Sequence, residues 1–208
     1  LLTTVVRQMG LARDIAAAIA GDLSAYERRS GSSQAATAFR AKRIEEKADA
    51  IALDARAAIA RTQASVIVAR LVDTAENAID ELEQAAFFAT LIPPKIDPNV
   101  LQPLNELCAA AAEGTGAAAR GLEAAACIGE GERSDNDDAL AATDRLSELE
   151  HVADRAERRV TEVLLRSEGD LRSALCVLEL ARSLERATDR LSAVGHLLHD
   201  HVMADLSS

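Results

Sequence analysis

The sequence predicts an all-α protein, a six-helix antiparallel bundle built from two repeats of a three-helix unit. Three observations lead there. Apolar residues fill 49% of the 208 positions, yet aromatic ones fill only 2% and Trp is absent. A core must therefore come from Ala, Leu, Val and Ile, the composition of long helices with close seams. No segment alternates apolar and polar residues with a period of two, as a half-buried strand would. Helix breakers gather at a few places, and the motif E-x-x-x-D recurs in one register on both sides of the chain's middle.

The breakers place the helices in order. "SGSS" (Ser30 to Ser33) ends a first helix spanning about 3–30, and a second runs about 33–61. A weaker break at Thr62 to Ser65 opens a third, about 65–91. "IPPKIDPN" closes it, and Asp97 before Pro98 starts a fourth, about 98–127. "GEGERSDNDD" precedes a fifth, about 136–167, with Asn136 to Asp138 as its start. Gly169 stops that helix and Asp170 caps a sixth, about 170–204. Apolar residues then recur at spacings of three and four: Ile44, Ala48, Ile51 and Ala55 in helix 2, or Leu146, Leu149, Ala153 and Ala156 in helix 5. These are bundle seams, and short connections force neighbours antiparallel.

The acidic motif is the feature that a plain bundle does not require. Glu45/Asp49, Glu76/Asp80, Glu150/Asp154 and Glu185/Asp189 lie on helices 2, 3, 5 and 6. Like charges four apart on a helix repel by a few tenths of a kcal/mol. In every pair the Glu directly follows one seam residue and the Asp follows the next: Ile44 and Ala48, Ala75 and Ile79, Leu149 and Ala153, Leu184 and Thr188. Each pair thus occupies a stripe about 100° round from the core. Asp73 and Glu83 extend the stripe of helix 3, and Glu157 that of helix 5. Lys42 and Arg56 are the basic residues on these stripes. Glu150 follows Glu45 by nearly the distance at which Glu185 follows Glu76, so helices 1–3 and 4–6 read as copies of one unit. A bound cation turns such repulsion into coordination, because carboxylates suit hard ions such as Mg²⁺ and also accept iron and zinc. Ser192, His196 and His199 continue the stripe of helix 6 and would supply nitrogen for iron, zinc or nickel. The competing reading is a solvated face, or pairing with Arg155, Arg158, Arg159, Arg182, Arg186 and Arg190 on neighbouring helices.

Net charge is −11, which argues against nucleic acid or an anionic membrane as the main partner, since both demand a basic footprint. Cations and basic protein surfaces are the natural partners. Cys108, Cys127 and Cys176 are odd in number and scattered, as expected of buried thiols in a reducing compartment. The start "LLTTVVRQMG" lacks the regions of a signal peptide, and no apolar run approaches the roughly 18 residues of a membrane span. The expectation is a soluble cytoplasmic protein without direct membrane insertion, peripheral at most through a transporter.

The stretches "RIEEKADAIALDARAAI", "LVDTAENAIDELEQAA", "LSELEHVADRAERRV" and "LERATDRLSAVGHLL" together resemble the PhoU-like proteins, most closely the branch called DUF47. The resemblance spans nearly the whole chain. It implies a single PhoU-like domain over 1–208, with repeat one about 1–92 and repeat two about 98–208. It also implies acidic metal-binding patches, and a regulator of phosphate transport or an accessory protein of phosphate transporters. The turn between helices 2 and 3, "RTQASVIVAR", lacks the Pro and Asp often found there in the family. The metal candidates carried over are Glu45, Asp49, Asp73, Glu76, Asp80, Glu150, Asp154, Glu185 and Asp189, for a divalent or trivalent ion such as iron, zinc, nickel or magnesium. The implied partner is a phosphate transporter or its sensor machinery, and Ala-rich seams allow a homodimer.

No nucleophile–base constellation or Gly-rich phosphate loop appears, so the chain is expected not to be an enzyme. Two other functions are weighed. One is a structural helical adaptor without metal. The other is a ferritin-type di-iron protein, which wants Glu-x-x-His on two helices; the chain has only Glu148/His151, off the stripe.

Overall fold

The structure, a computed structural model, describes residues 1–27, 34–62, 65–93, 95–127, 133–167 and 169–206. Among these the fold is six helices and no strand: α1 (Leu2–Glu27), α2 (Gln34–Thr62), α3 (Val66–Ala89), α4 (Pro98–Cys127), α5 (Arg133–Arg166) and α6 (Leu171–Leu206). The expected end of the first helix, at 28–30, falls outside the described residues. Three helix starts are fixed by side chains that satisfy otherwise orphaned N–H groups. Ser65 Oγ accepts from the Ile67 N–H at 3.2 Å, Asp97 Oδ1 from Asn99 at 2.9 Å, and Asp170 Oδ2 from Ser173 at 2.9 Å. Those last bonds hold the Asp170 carboxyl below its ordinary range. Helix α3 stops two residues before the expected 91. Thr90 and Leu91 bond three residues back instead of four, to Phe87 and Phe88, and the Thr90 hydroxyl adds a bond to the Phe87 carbonyl at 2.7 Å. Helix α5 starts at Arg133, three residues earlier than expected.

Packing explains how the two halves join. Helix α2 packs on α1 and α3, and α5 packs on α4 and α6; α1 against α4 and α3 against α6 tie the units together. One face of the bundle therefore carries α2, α3, α6 and α5, the four helices that bear E-x-x-x-D. The core beneath is aliphatic: Leu71, Ile79, Leu82, Leu104, Leu122, Leu146 and Leu180 are fully buried. Each contributes on the order of 2–5 kcal/mol against truncation to Ala. Small residues set how near the axes come. A Cβ added at Gly121 of α4 would lie 2.7 Å from Ala142 Cβ of α5 and 2.8 Å from Leu198 Cδ2 of α6. Thr143 of α5 closes the same junction, its hydroxyl bonding the Gly195 carbonyl of α6 at 3.2 Å. Cys108 is buried and its thiol pushed up to about 12 by desolvation, whereas Cys127 is exposed and Cys176 half-buried. The expectation of buried thiols therefore holds at one position. Cys127 is the last residue of α4.

Candidate metal centre

Helices α2 and α3 run antiparallel, and the stripes predicted from register meet along their junction. The expected seam residues Ala48, Ala75 and Ile79 are fully buried, whereas Ile44 and Ile51 are only half-buried and Ala52 takes a place in the α2 seam instead. Glu45, Asp49 and Asp80 each stand one step round from that seam, at its lip. One carboxylate oxygen from each lies within 4.8 Å of the other two. Among the described residues this is the one group of three acidic, His or Cys side chains that comes so close. The electrostatic consequence falls on Asp80. Partial burial, then the charges of Asp49, Glu76, Glu45 and Glu81, push its carboxyl from 3.8 up to about 6. Glu83, a turn further along α3, is also raised, first by burial and then by Glu45, against the pull of Lys42. Lys42 stands 2.7 Å from Glu45 Oε2.

Two other candidates on α3 have a different arrangement. The Arg56 guanidinium of α2 reaches across, bonding Asp73 Oδ1 at 2.9 Å and also pairing with Glu76. These two carboxylates have their own cation and stand one and two turns of α3 before Asp80. Glu76 still adds to the charge felt by Asp80.

The second unit assembles its candidates less tightly. Burial, then Asp189, Glu157 and Asp154, raise Glu185 from 4.5 to about 7, with Arg186 opposing. Asp189 is raised by burial and then by Glu150 and Asp154, while Arg190 and a hydrogen bond with Glu185 act the other way. So Glu150, Asp154, Glu185 and Asp189 do share one environment across α5 and α6. Their oxygens do not gather as those of the first unit do. Asp154 is engaged by Arg158 at 3.0 Å and Glu150 by His151 at 2.7 Å. Glu157 joins this group although it was absent from the ligand candidates; its place on the stripe, seven residues after Glu150, is the sequence signal for it. The imidazoles stay apart: His196 is exposed, and exposed His199 lies 3.7 Å from Asp200.

The donor set of the first unit fits a hard cation. Oxygens on one ion of Ca²⁺ size, at about 2.4 Å from it, are at most roughly 4.8 Å apart, and those of Glu45, Asp49 and Asp80 all lie within that limit of one another. Smaller ions draw such ligands closer. Three carboxylates supply three charges and no nitrogen or sulfur, which favours Mg²⁺, Mn²⁺, Ca²⁺ or iron over soft metals.

No family model matches this chain, and comparison with curated proteins gives no match. A solved structure does: PhoU from Pseudomonas aeruginosa superposes with a TM-score of 0.57 over 97% of this chain and 95% of the other, at 14% sequence identity. The chain therefore has a PhoU-like fold. No helix among its described residues is long and apolar enough to cross a membrane.

Proposed function

We propose that the chain is a non-enzymatic regulator or accessory protein of phosphate transport, a PhoU-like single-domain protein of the DUF47 branch. It binds a metal ion at its E-x-x-x-D patches and acts through contacts with a phosphate transporter or its sensor machinery. The observation that carries the reading is the convergence of Glu45, Asp49 and Asp80 from two helices. Support comes from the fold shared with PhoU and from the repeated motif in both units. Bound metal would be held first by those three side chains. The Glu150, Asp154, Glu185 and Asp189 group would form a second, looser patch, and its negative charge would be offset when occupied. Asp73 and Glu76 would flank the first site from their pairing with Arg56.

Two measurements test this. Mn²⁺ or Fe²⁺ should raise the melting temperature, and Glu76→Ala with Asp80→Ala should abolish the increase. Cells lacking the protein should show altered phosphate uptake, restored by the wild-type chain and not by Asp49→Asn/Asp80→Asn. Unaltered uptake on deletion would count against the transport reading. Absence of any metal-dependent stabilisation would count against the site.

The pairs of Arg56 with Asp73 and Glu76, Lys42 with Glu45, and Arg158 with Asp154 favour a second reading, a helical adaptor without metal. Gln or Asn in place of the stripe carboxylates separates the two. An adaptor would lose partner affinity equally with and without metal.

A further inference from the structure

Several large apolar side chains exposed among the described residues lie at one end of the α2–α3–α6–α5 face, while others, such as Val66 and Met203, lie at the opposite end. Phe87 of α3 and Leu91 in the turn after it are 49% and 47% exposed, Leu171 and Leu175 of α6 73% and 50%, and Leu165 of α5 81%. All belong to the end where α3 and α5 finish and α6 begins. There a cleft of about 390 Å³, floored by Ile96, Val100, Leu164 and Val177, lies between the α3–α4 link and the start of α6.

Ion pairs fix the register of these residues. Arg186 of α6 bonds Glu81 and Gln84 of α3 at 2.8 and 3.0 Å. Helices α3 and α6 are antiparallel, so about three turns back from Arg186 along α6, and the same distance on from Glu81 to just past the end of α3, bring Leu175 level with Leu91. Arg182 lies 3.9 Å from Glu157. Two turns from that pair, in the same sense, Leu165 comes opposite Leu175. Leu165 of α5, Leu175 of α6 and Leu91 in the turn after α3 thus stand level as a row at this end. The carboxylate clusters lie on the same stripes, towards the middle of the bundle: Asp80 is about three turns, roughly 16 Å, from Leu91 along α3. Asp154 is equally far from Leu165.

We infer that this end is a docking surface for an amphipathic helical segment of another protein, one that carries large apolar residues at one end and Lys or Arg about three turns on. A contiguous exposed apolar patch on a globular protein marks an interaction site, and a helix laid in a groove uses such spaced anchors. Charge selects the occupant. The carboxylate clusters about three turns from the row and the net charge of −11 repel an anionic membrane and a second copy of this chain, and attract a segment whose basic residues lie about three turns beyond its apolar ones. The inference does not depend on metal binding, because the free carboxylates meet the cations of the partner.

The test uses the full chain in chelator, so that it stands apart from the metal reading. The probe is a fluorescein-labelled 20-residue helical peptide, Leu on one face of its first three turns and Lys on the same face beyond. Anisotropy should show saturable binding that weakens with salt. Leu91→Asp/Leu175→Asp, both at exposed positions and checked for helicity by circular dichroism, should weaken it at least tenfold. Asp80→Asn/Glu185→Gln should weaken it severalfold and flatten the salt dependence. The same peptide with Glu for Lys should not bind. Binding unaffected by Leu91→Asp/Leu175→Asp, or equal binding of the Glu peptide, overturns the inference. So does wild-type self-association in sedimentation equilibrium, or binding to phosphatidylcholine vesicles, that the leucine substitutions abolish.

Discussion

Replacing Glu185 by Gln should stabilise the protein at alkaline pH and leave it unchanged in acid. In the folded chain, burial and the neighbouring Asp189, Glu157 and Asp154 hold the Glu185 proton up to about 7, against 4.5 for an ordinary glutamate. Between those values the folded state binds more protons than the unfolded one. Stability therefore falls as pH rises through that window, and the loss is complete above it. At 1.36 kcal/mol for each tenfold change, the difference sets a ceiling of roughly 3 kcal/mol. Glu185 is half-buried, so solvent screening reduces the ceiling to about 1–2 kcal/mol. Gln is isosteric and carries no charge, so Glu185→Gln should recover that amount at pH 8. For a chain of this length the gain corresponds to a Tm higher by about 3–6 °C. At pH 4.5 the glutamate is already protonated in the fold and the two proteins should melt together. Differential scanning calorimetry in chelator, at half-unit steps from pH 4.5 to 8.5, reads both arms. Equal melting of the two proteins at pH 8, or the same offset at both ends of the range, would refute a strained carboxylate at this position.

Other expectations follow from packing and exposure. Gly121→Ala places a methyl 2.7 Å from Ala142 Cβ and 2.8 Å from Leu198 Cδ2, and should cost about 1–3 kcal/mol by urea denaturation. Unchanged stability would mean that α4, α5 and α6 part without cost. Exposed Cys127 should react with a thiol reagent in native protein, while buried Cys108, its thiol raised to about 12, should react only on unfolding; mass spectrometry of labelled peptides distinguishes them. Arg56→Met removes the cation from Asp73 and Glu76. With two more free carboxylates beside Asp80, it should strengthen Mn²⁺ binding severalfold by isothermal titration, and weaker binding would show Arg56 supporting the site.

Much of this architecture was legible because few residues write it. Gly, Pro and Asp sit where helices stop or start, and seam spacing identifies the buried face of each helix. The register of E-x-x-x-D beside the seam put Glu45, Asp49 and Asp80 on neighbouring edges, and Lys42 and Arg56 were already visible as the cations on those stripes. Their partners were a step further on. Once Asp49 lies opposite Asp80 in an antiparallel pair, Arg56, two turns on, must lie opposite Asp73, two turns back. The sequence contained that pairing, but the relative register of α2 and α3 had to be known first. Contacts between the units were not accessible in this way. Arg186 reaching Glu81 and Gln84 joins residues over a hundred positions apart, and nothing local ties α3 to α6. The looser second patch has the same cause. Its motif repeats that of the first unit, yet Arg158 and His151 engage Asp154 and Glu150, and a four-residue motif does not encode its neighbours.

The metal-dependent function proposed for this chain rests on three oxygens from two helices receiving one positive ion. Equilibrium dialysis against Mn²⁺ with elemental analysis, on wild type and on Asp49→Asn/Asp80→Asn, measures that directly. The wild-type chain should retain metal in saturable stoichiometry and the variant should lose the tightest equivalent. Metal retained equally by both, or by neither, would contradict the assignment of Glu45, Asp49 and Asp80 as a cation site.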